Sequence, residues 1–204
     1  TRQCVMDEGI DAIVNVVDAS SLERNLYLTL QLLELGKPVI LALNMMDIVS
    51  ERGMEIDLHR LPELLGGIPV VQVSAAKRPG LGILLHAVVH HCEEGAGGNV
   101  LTYGEDIEDK IAQLEKRMQT WYPDHSSMRW HAIKLLENDE DVMNEHPISI
   151  EDVVDRSYEK DIIQKKYAYI ENIIREVLFH KEKQAASTDR TDRILTHPIW
   201  GVPI

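Results

Sequence analysis

Three short apolar runs, each leading through a polar loop into a helical pattern, constrain the fold of this chain most. Ala12-Ile13-Val14-Asn15-Val16-Val17 is rich in β-branched residues and reads as a strand buried on both faces. Asp18-Ala19-Ser20 then offers helix caps, and Leu22, Leu26, Leu30 and Leu33 recur at helical spacing until Gly36 and Pro38 stop the helix. Pro38-Val39-Ile40-Leu41-Ala42-Leu43 is the second strand, and Pro69-Val70-Val71-Gln72-Val73 the third. A linker with Gly53 and a short helix from about Asp57 to Leu65, ended by Gly66-Gly67, separate these two. A further apolar stripe at Leu81-Gly82-Ile83-Leu84-Leu85-His86-Ala87-Val88-Val89 follows Pro79-Gly80. Strands separated by helices of this length imply crossover connections in a parallel sheet.

The second run ends in Asn44-Met45-Met46-Asp47. A buried strand that delivers an Asn and an Asp, three residues apart, to the loop at its carboxyl end is suited to reading guanine. A carboxylate accepts from both the N1–H and the exocyclic amine of that base, a donor pair adenine lacks. Such charge-assisted, paired hydrogen bonds are strong, and open α/β sheets bind ligands at the carboxyl ends of their strands. An Asn and an Asp that merely cap a turn are the alternative. The third run ends in Ser74-Ala75-Ala76-Lys77. In GTP-binding proteins this position supplies a backbone N–H, here that of Ala75, to the guanine oxygen.

Composition excludes several classes. A net charge of −13 argues against a nucleic-acid-binding face, which needs clustered Lys and Arg. Cys4 and Cys92 are distant and form no disulfide framework, so a reducing cytoplasm is expected. No run of about 18 apolar residues exists to span a bilayer. The hydrophobic fraction of 44% supports a real core, and aromatics at 5% leave its packing to aliphatic side chains.

Composition shifts at Glu93-Glu94-Gly95-Ala96-Gly97-Gly98-Asn99, and no strand is expected beyond it. Glu105 to Trp121 reads as a helix with Ile107, Ile111, Leu114 and Met118 on one face. Ser126-Ser127 are expected to cap a helix carrying Met128, Ala132, Leu135 and Leu136. A long pattern from about Ile150 to His180 turns Val153, Val154, Tyr158, Ile162, Tyr169, Ile173 and Val177 inward. The expected organisation is an α/β unit over 1–94, a linker over 95–104, a helical domain over 105–183, and a linker with a juxtamembrane segment over 184–204. The chain opens on Thr1 and stops in an apolar stretch, and it is expected to be a segment of a longer protein.

Val16-Val17-Asp18-Ala19-Ser20-Ser21-Leu22-Glu23-Arg24-Asn25-Leu26-Tyr27-Leu28-Thr29, Leu41-Ala42-Leu43-Asn44-Met45-Met46-Asp47 and the tail Thr191 to Ile204 resemble the ferrous iron transport protein B (FeoB) family. The resemblance covers essentially the whole chain. It implies the later part of a P-loop GTPase-like sheet, followed by a small all-α domain that couples nucleotide state to a membrane channel. It implies GTP or GDP as ligand, held at the base by Asn44, Met45, Asp47, Ser74 and Ala75. Asp47 would bear specificity, Asn44 would tie the loops together, and the Ser74 hydroxyl would hold its loop. The implied partners are the protein's own transmembrane domain and Fe²⁺ as transported ion, at the cytoplasmic face of a prokaryotic inner membrane.

Two departures from general GTPases matter. Met45 stands where a Lys stem usually lies along the guanine, so it can cover the ring but adds no donor. No Gly-x-x-x-x-Gly-Lys-Ser/Thr loop, switch threonine or Asp-x-x-Gly occurs in these residues. Phosphate and Mg²⁺ binding are therefore expected only in the full-length protein, and the 204 residues alone are expected to hold guanine nucleotide poorly and not to hydrolyse GTP. The rival reading is a non-enzymatic interaction module built on a degenerate G-domain. A GTPase of the ribosome-assembly or tRNA-modification kind fits the acidic charge less well. His86 and His90, with Cys92, are read as a polar helix end rather than metal ligands, and Asp18 as a cap. Glu137 to Asp141 reads as a solvated turn.

Overall fold

A computed structural model describes residues 9–74, 80–94, 100–121, 127–145 and 148–180. Its centre is a parallel three-stranded sheet in the order β1-β2-β4, formed by β1 (Ile13–Asp18), β2 (Val39–Asn44) and β4 (Val70–Gln72). β1 and β2 pair from Ile13↔Val39 to Asp18↔Asn44, and β2 pairs with β4 from Leu41↔Val70 to Leu43↔Gln72. Val39 to Leu43 are all completely buried, as a central parallel strand requires.

Helix α1 (Leu22–Leu33) lays Leu22, Leu26, Leu30 and Leu33 against the sheet, the spacing of one helical face. Ile13 and Val17 meet that layer from β1. Asn15 shares their face, where its side-chain amide donates to Thr29 Oγ1 at 2.9 Å inside the core. The expectation of a strand buried on both faces fails for β1. Val14 and Val16 are 39% and 61% exposed, because β1 is an edge strand and its second face is not covered by described residues. Helix α2 (Met46–Glu51) follows β2, and α3 (Arg60–Leu64) precedes β4. The Asp57 carboxylate accepts from the His59 and Arg60 N–H groups, each at 2.9 Å, and starts α3. Helix α4 (Leu81–Glu94) turns Leu84, Ala87, Val88 and His91 inward, while Leu81, Ile83, Leu85 and Val89 stay exposed.

The helical layer comprises α5 (Glu105–Trp121), α6 (Met128–Leu136), α7 (Glu140–Glu145) and α8 (Glu159–Val177). Ile107, Ile111, Leu114 and Met118 are buried as their spacing requires, together with Trp130, Ala132, Leu135 and Leu136. The side chain of Trp121 lies outside the described residues. Helix α8 packs along α1, with the rings of Tyr27 and Tyr167 stacked at 5.3 Å, so one apolar core runs through both layers.

Four expectations are corrected here. The run from Ile150 to His180 is not one helix: residues 150–158 are turns and α8 begins at Glu159. The chain after residue 99 is not wholly helical, because β5 (Leu178–His180) pairs antiparallel with β3 (Met54–Ile56). Three-residue strands are too short to show a period of two. Ser127 does not cap α6 through its side chain; its hydroxyl donates to the Leu35 carbonyl at 2.5 Å and stitches the layers together. The acidic turn is not simply solvated: Glu137 is drawn toward Lys134 and Lys166, and Asp139 accepts from the Val142 N–H at 3.2 Å.

Candidate functional site

The candidate site lies at the carboxyl ends of β2 and β4. The parallel register sets Leu43 beside Gln72, and the Val73 N–H donates to the Leu43 carbonyl at 2.8 Å. Two candidates lie at these ends, Asn44 as the last residue of β2 and Ser74 two residues beyond Gln72. Both are half-buried. Residues thirty apart in sequence are therefore brought to the same sheet edge by one ladder.

Beyond Asn44 the backbone turns sharply. Met45 takes a left-handed conformation, φ 62 and ψ 31, with its side chain 44% exposed. That turn redirects the chain into α2, whose first turn carries Asp47. Asp47 is exposed, and its Oδ1 accepts from the Ile48 N–H at 3.1 Å. A non-glycine residue in the left-handed region is uncommon and is often found where a loop is shaped for function.

Gly80 lies against the end of β4. Gly80 has φ +84, and a Cβ there would meet the Gln72 carbonyl oxygen at 2.1 Å. Only glycine lets the chain return this close to β4 before α4 begins. Ala75, Ala76 and Lys77 lie outside the described residues, as do Cys4 and the tail from 181 to 204.

Asp18 ends β1 opposite Asn44, and its carboxylate accepts from the Ser20 N–H at 2.9 Å, starting a short 3-10 turn (Ala19–Ser21). The capping reading of Asp18 holds. Helix α2 packs on this turn, and Arg52 Nη1 donates to the Ser20 carbonyl at 3.2 Å, a link between the two loops that sequence spacing does not reveal. On α4, the rings of His86 and His90 are 6.0 Å apart and tilted by 59°, both exposed. Among the described residues no three His, Cys, Asp or Glu side chains group as metal ligands do.

A parallel sheet flanked by helices, with Asn44 and Ser74 at its carboxyl edge, defines an open α/β protein, a class that binds ligands at that edge. Residues 1–88 match the family model described as ferrous iron transport protein B, and residues 103–178 that of the FeoB cytosolic helical domain. The chain belongs to the FeoB family.

The Fe(2+) transporter FeoB of Staphylococcus aureus (strain MSSA476) is 34% identical over 215 residues, covering 98% of this chain and 32% of the relative. That of Legionella pneumophila (strain Paris) is 32% identical over 209 residues, covering 99% and 27%. The chain thus spans about a third or less of the curated relatives it matches. The cytosolic domain of T. maritima FeoB in its GDP form I superposes with a TM-score of 0.76 at 30% identity, covering 87% of this chain and 71% of that one. The mGMPPNP-bound NFeoB of S. thermophilus superposes with a TM-score of 0.76 at 35% identity, covering 85% and 70%.

Proposed function

We propose that this chain is the base-recognition and helical part of a GTP-binding Fe²⁺ transporter, acting at the cytoplasmic face of a membrane. Asn44, Met45, Asp47, Ser74 and Ala75 read guanine. The observation that carries the reading is the β2–β4 register, which brings Asn44 and Ser74 to the same end of the sheet. The chemistry of the groups fits guanine: Asp47 is an exposed, acceptor-only carboxylate, and Met45, two residues before it, is an exposed, apolar and polarizable side chain. Relatives solved with GDP and with mGMPPNP support a guanine nucleotide as the ligand.

The role of Ala75 rests on the family resemblance. Phosphate and Mg²⁺ contacts are assigned to parts of the parent protein other than these residues, because no phosphate-loop motif occurs among them. Fe²⁺ is the transported ion of the parent, and the transmembrane domain the partner of the helical layer.

The reading is tested by titrating the 204-residue chain with guanosine and adenosine and following backbone amide resonances. Guanosine shifts at residues 44–48, absent with adenosine and lost in Asp47→Ala, are the expected result. Equal response to both purines would overturn it.

A further inference from the structure

Helix α2 carries Asp47 in its first turn, yet little within the helix holds it in place. It has six residues, and helices shorter than about 12–15 residues are marginal on their own. Val49 is its one fully buried side chain, with Met46 partly buried against the same core. Its start is fixed by the left-handed turn at Met45, which hangs from the end of β2. Its other end is fixed by Arg52, which follows Glu51 and reaches across 32 residues of sequence to donate from Nη1 to the Ser20 carbonyl at 3.2 Å. A guanidinium at the carboxyl end of a helix also complements the helix dipole.

The acceptor is itself held firmly. Ser20 lies in the 3-10 turn after β1, and its own N–H donates to Asp18 Oδ1 at 2.9 Å. The Asn25 side-chain amide donates to the Ser21 carbonyl at 2.9 Å, and Ala19 anchors the turn in the core. Asp18 in turn pairs in register with Asn44. These contacts close a ring. It runs from Asn44 through α2 to Arg52, across to Ser20, back to Asp18, and over the β1–β2 ladder to Asn44 again.

We propose that Arg52 is a positioning residue for Asp47, and that Asp18 acts with it by holding the Ser20 acceptor. The proposal rests on the guanine-recognition reading given above. With the Arg52–Ser20 bond made, α2 is tied at both ends to one pair of strands and presents Asp47 in one orientation. Without it, the short helix pivots about Met45 and Val49, and only a fraction of molecules present the carboxylate for binding. Apparent affinity falls in proportion to that fraction. Arg52 lies five residues beyond Asp47 and acts on the base through it.

The test titrates the 204-residue chain with guanosine and follows its backbone amide resonances. Guanosine carries no charge, so removing a cation does not act on it directly. Arg52→Ala is expected to weaken binding about three- to tenfold, the worth of one net hydrogen bond. The urea midpoint should stay close to the parent's, because the side chain is exposed. The Ile48 amide, bonded to Asp47 Oδ1, should shift in this variant before guanosine is added. Arg52→Lys, which keeps a charged donor for the single carbonyl, should recover most of the loss. Asp18→Ala should weaken binding in the same direction and add little to Arg52→Ala, since both act on one acceptor. Should Asp18→Ala not fold, the two Arg52 variants carry the measurement. Arg117→Ala, on the exposed side of α5, is the control and should bind as the parent does. If guanosine shifts residues 44–48 and Arg52→Ala binds it with the parent's affinity, the positioning role is wrong and the base site stands. A loss that Arg52→Lys does not recover, or one accompanied by a matching fall in stability, overturns the positioning role as well. If guanosine leaves 44–48 unmoved in the parent, the base-site reading falls and the positioning role with it.

Discussion

Lys166 Nζ donates to Glu34 Oε2 at 3.0 Å, across 132 residues of sequence, and neither side chain is more than 7% exposed. Glu34 closes α1 and Lys166 lies near the middle of α8, so the pair joins the α/β layer to the helical layer from inside the core. The Tyr103 hydroxyl also donates to Glu34, Glu137 stands 4.0 Å from the ammonium, and the Tyr27 and Tyr103 rings lie 5.7 and 5.9 Å from it. Burial and the neighbouring Glu34 carboxylate push the Tyr103 phenol well above its ordinary range. It therefore stays a neutral donor, which is what the carboxylate needs.

A buried ion costs several kcal/mol to desolvate, and stranding one partner is worse than removing both. Lys166→Met is expected to destabilise the chain by about 3–5 kcal/mol in urea unfolding, because Glu34 is left uncompensated. The double variant Lys166→Met with Glu34→Gln should recover much of that loss. A double variant no more stable than Lys166→Met would show that the pair is not energetically coupled.

Asp47→Asn replaces a double acceptor by a side chain with one acceptor and an amide donor. Guanosine affinity should fall, and xanthosine, which carries an oxygen in place of the exocyclic amine, should gain. Comparative titration with the two nucleosides checks the inversion. Unchanged preference would separate base choice from this carboxylate.

Gly80→Ala drives a methyl group into the Gln72 carbonyl at a φ of +84. A loss of about 1–3 kcal/mol is expected from the backbone strain. Thermal unfolding measures it, and the loss should come with altered resonances at Gln72 and Val73, whose backbone the methyl meets.

Arg117 grips Asp152 with Nη1 and Nη2, both at 2.7 Å, on the exposed side of α5. That fork pulls the Asp152 carboxyl down to about 2. A lowered folded-state value means the ion pair supports the fold above the ordinary Asp value of about 3.9 and is lost as pH falls toward 2. Carbon-detected titration of Asp152 should give a midpoint near 2 in the parent and close to 3.9 in Arg117→Ala.

The order of the three parallel strands, the buried stripe of α1, the face of α5 and the polar loop at the end of β2 were legible in the sequence. Each depends on local periodicity or on a short motif whose chemistry is carried by its own side chains. The sequence also holds Glu34, Lys166, Tyr103 and the segments at Met54 and Leu178, yet nothing in their local pattern marks them. A charged residue inside a helix looks the same whether it faces water or a partner 132 residues away, and a three-residue strand is defined only by what it pairs with. The exposed second face of β1 was equally unreadable, because burial belongs to the neighbours of a strand and not to its own residues. Periodicity and motif therefore determined the layers and the loop, while the tertiary structure alone decided how the two layers are tied, since hydrogen bonds and ion pairs between distant segments exist only once the chain has brought them together.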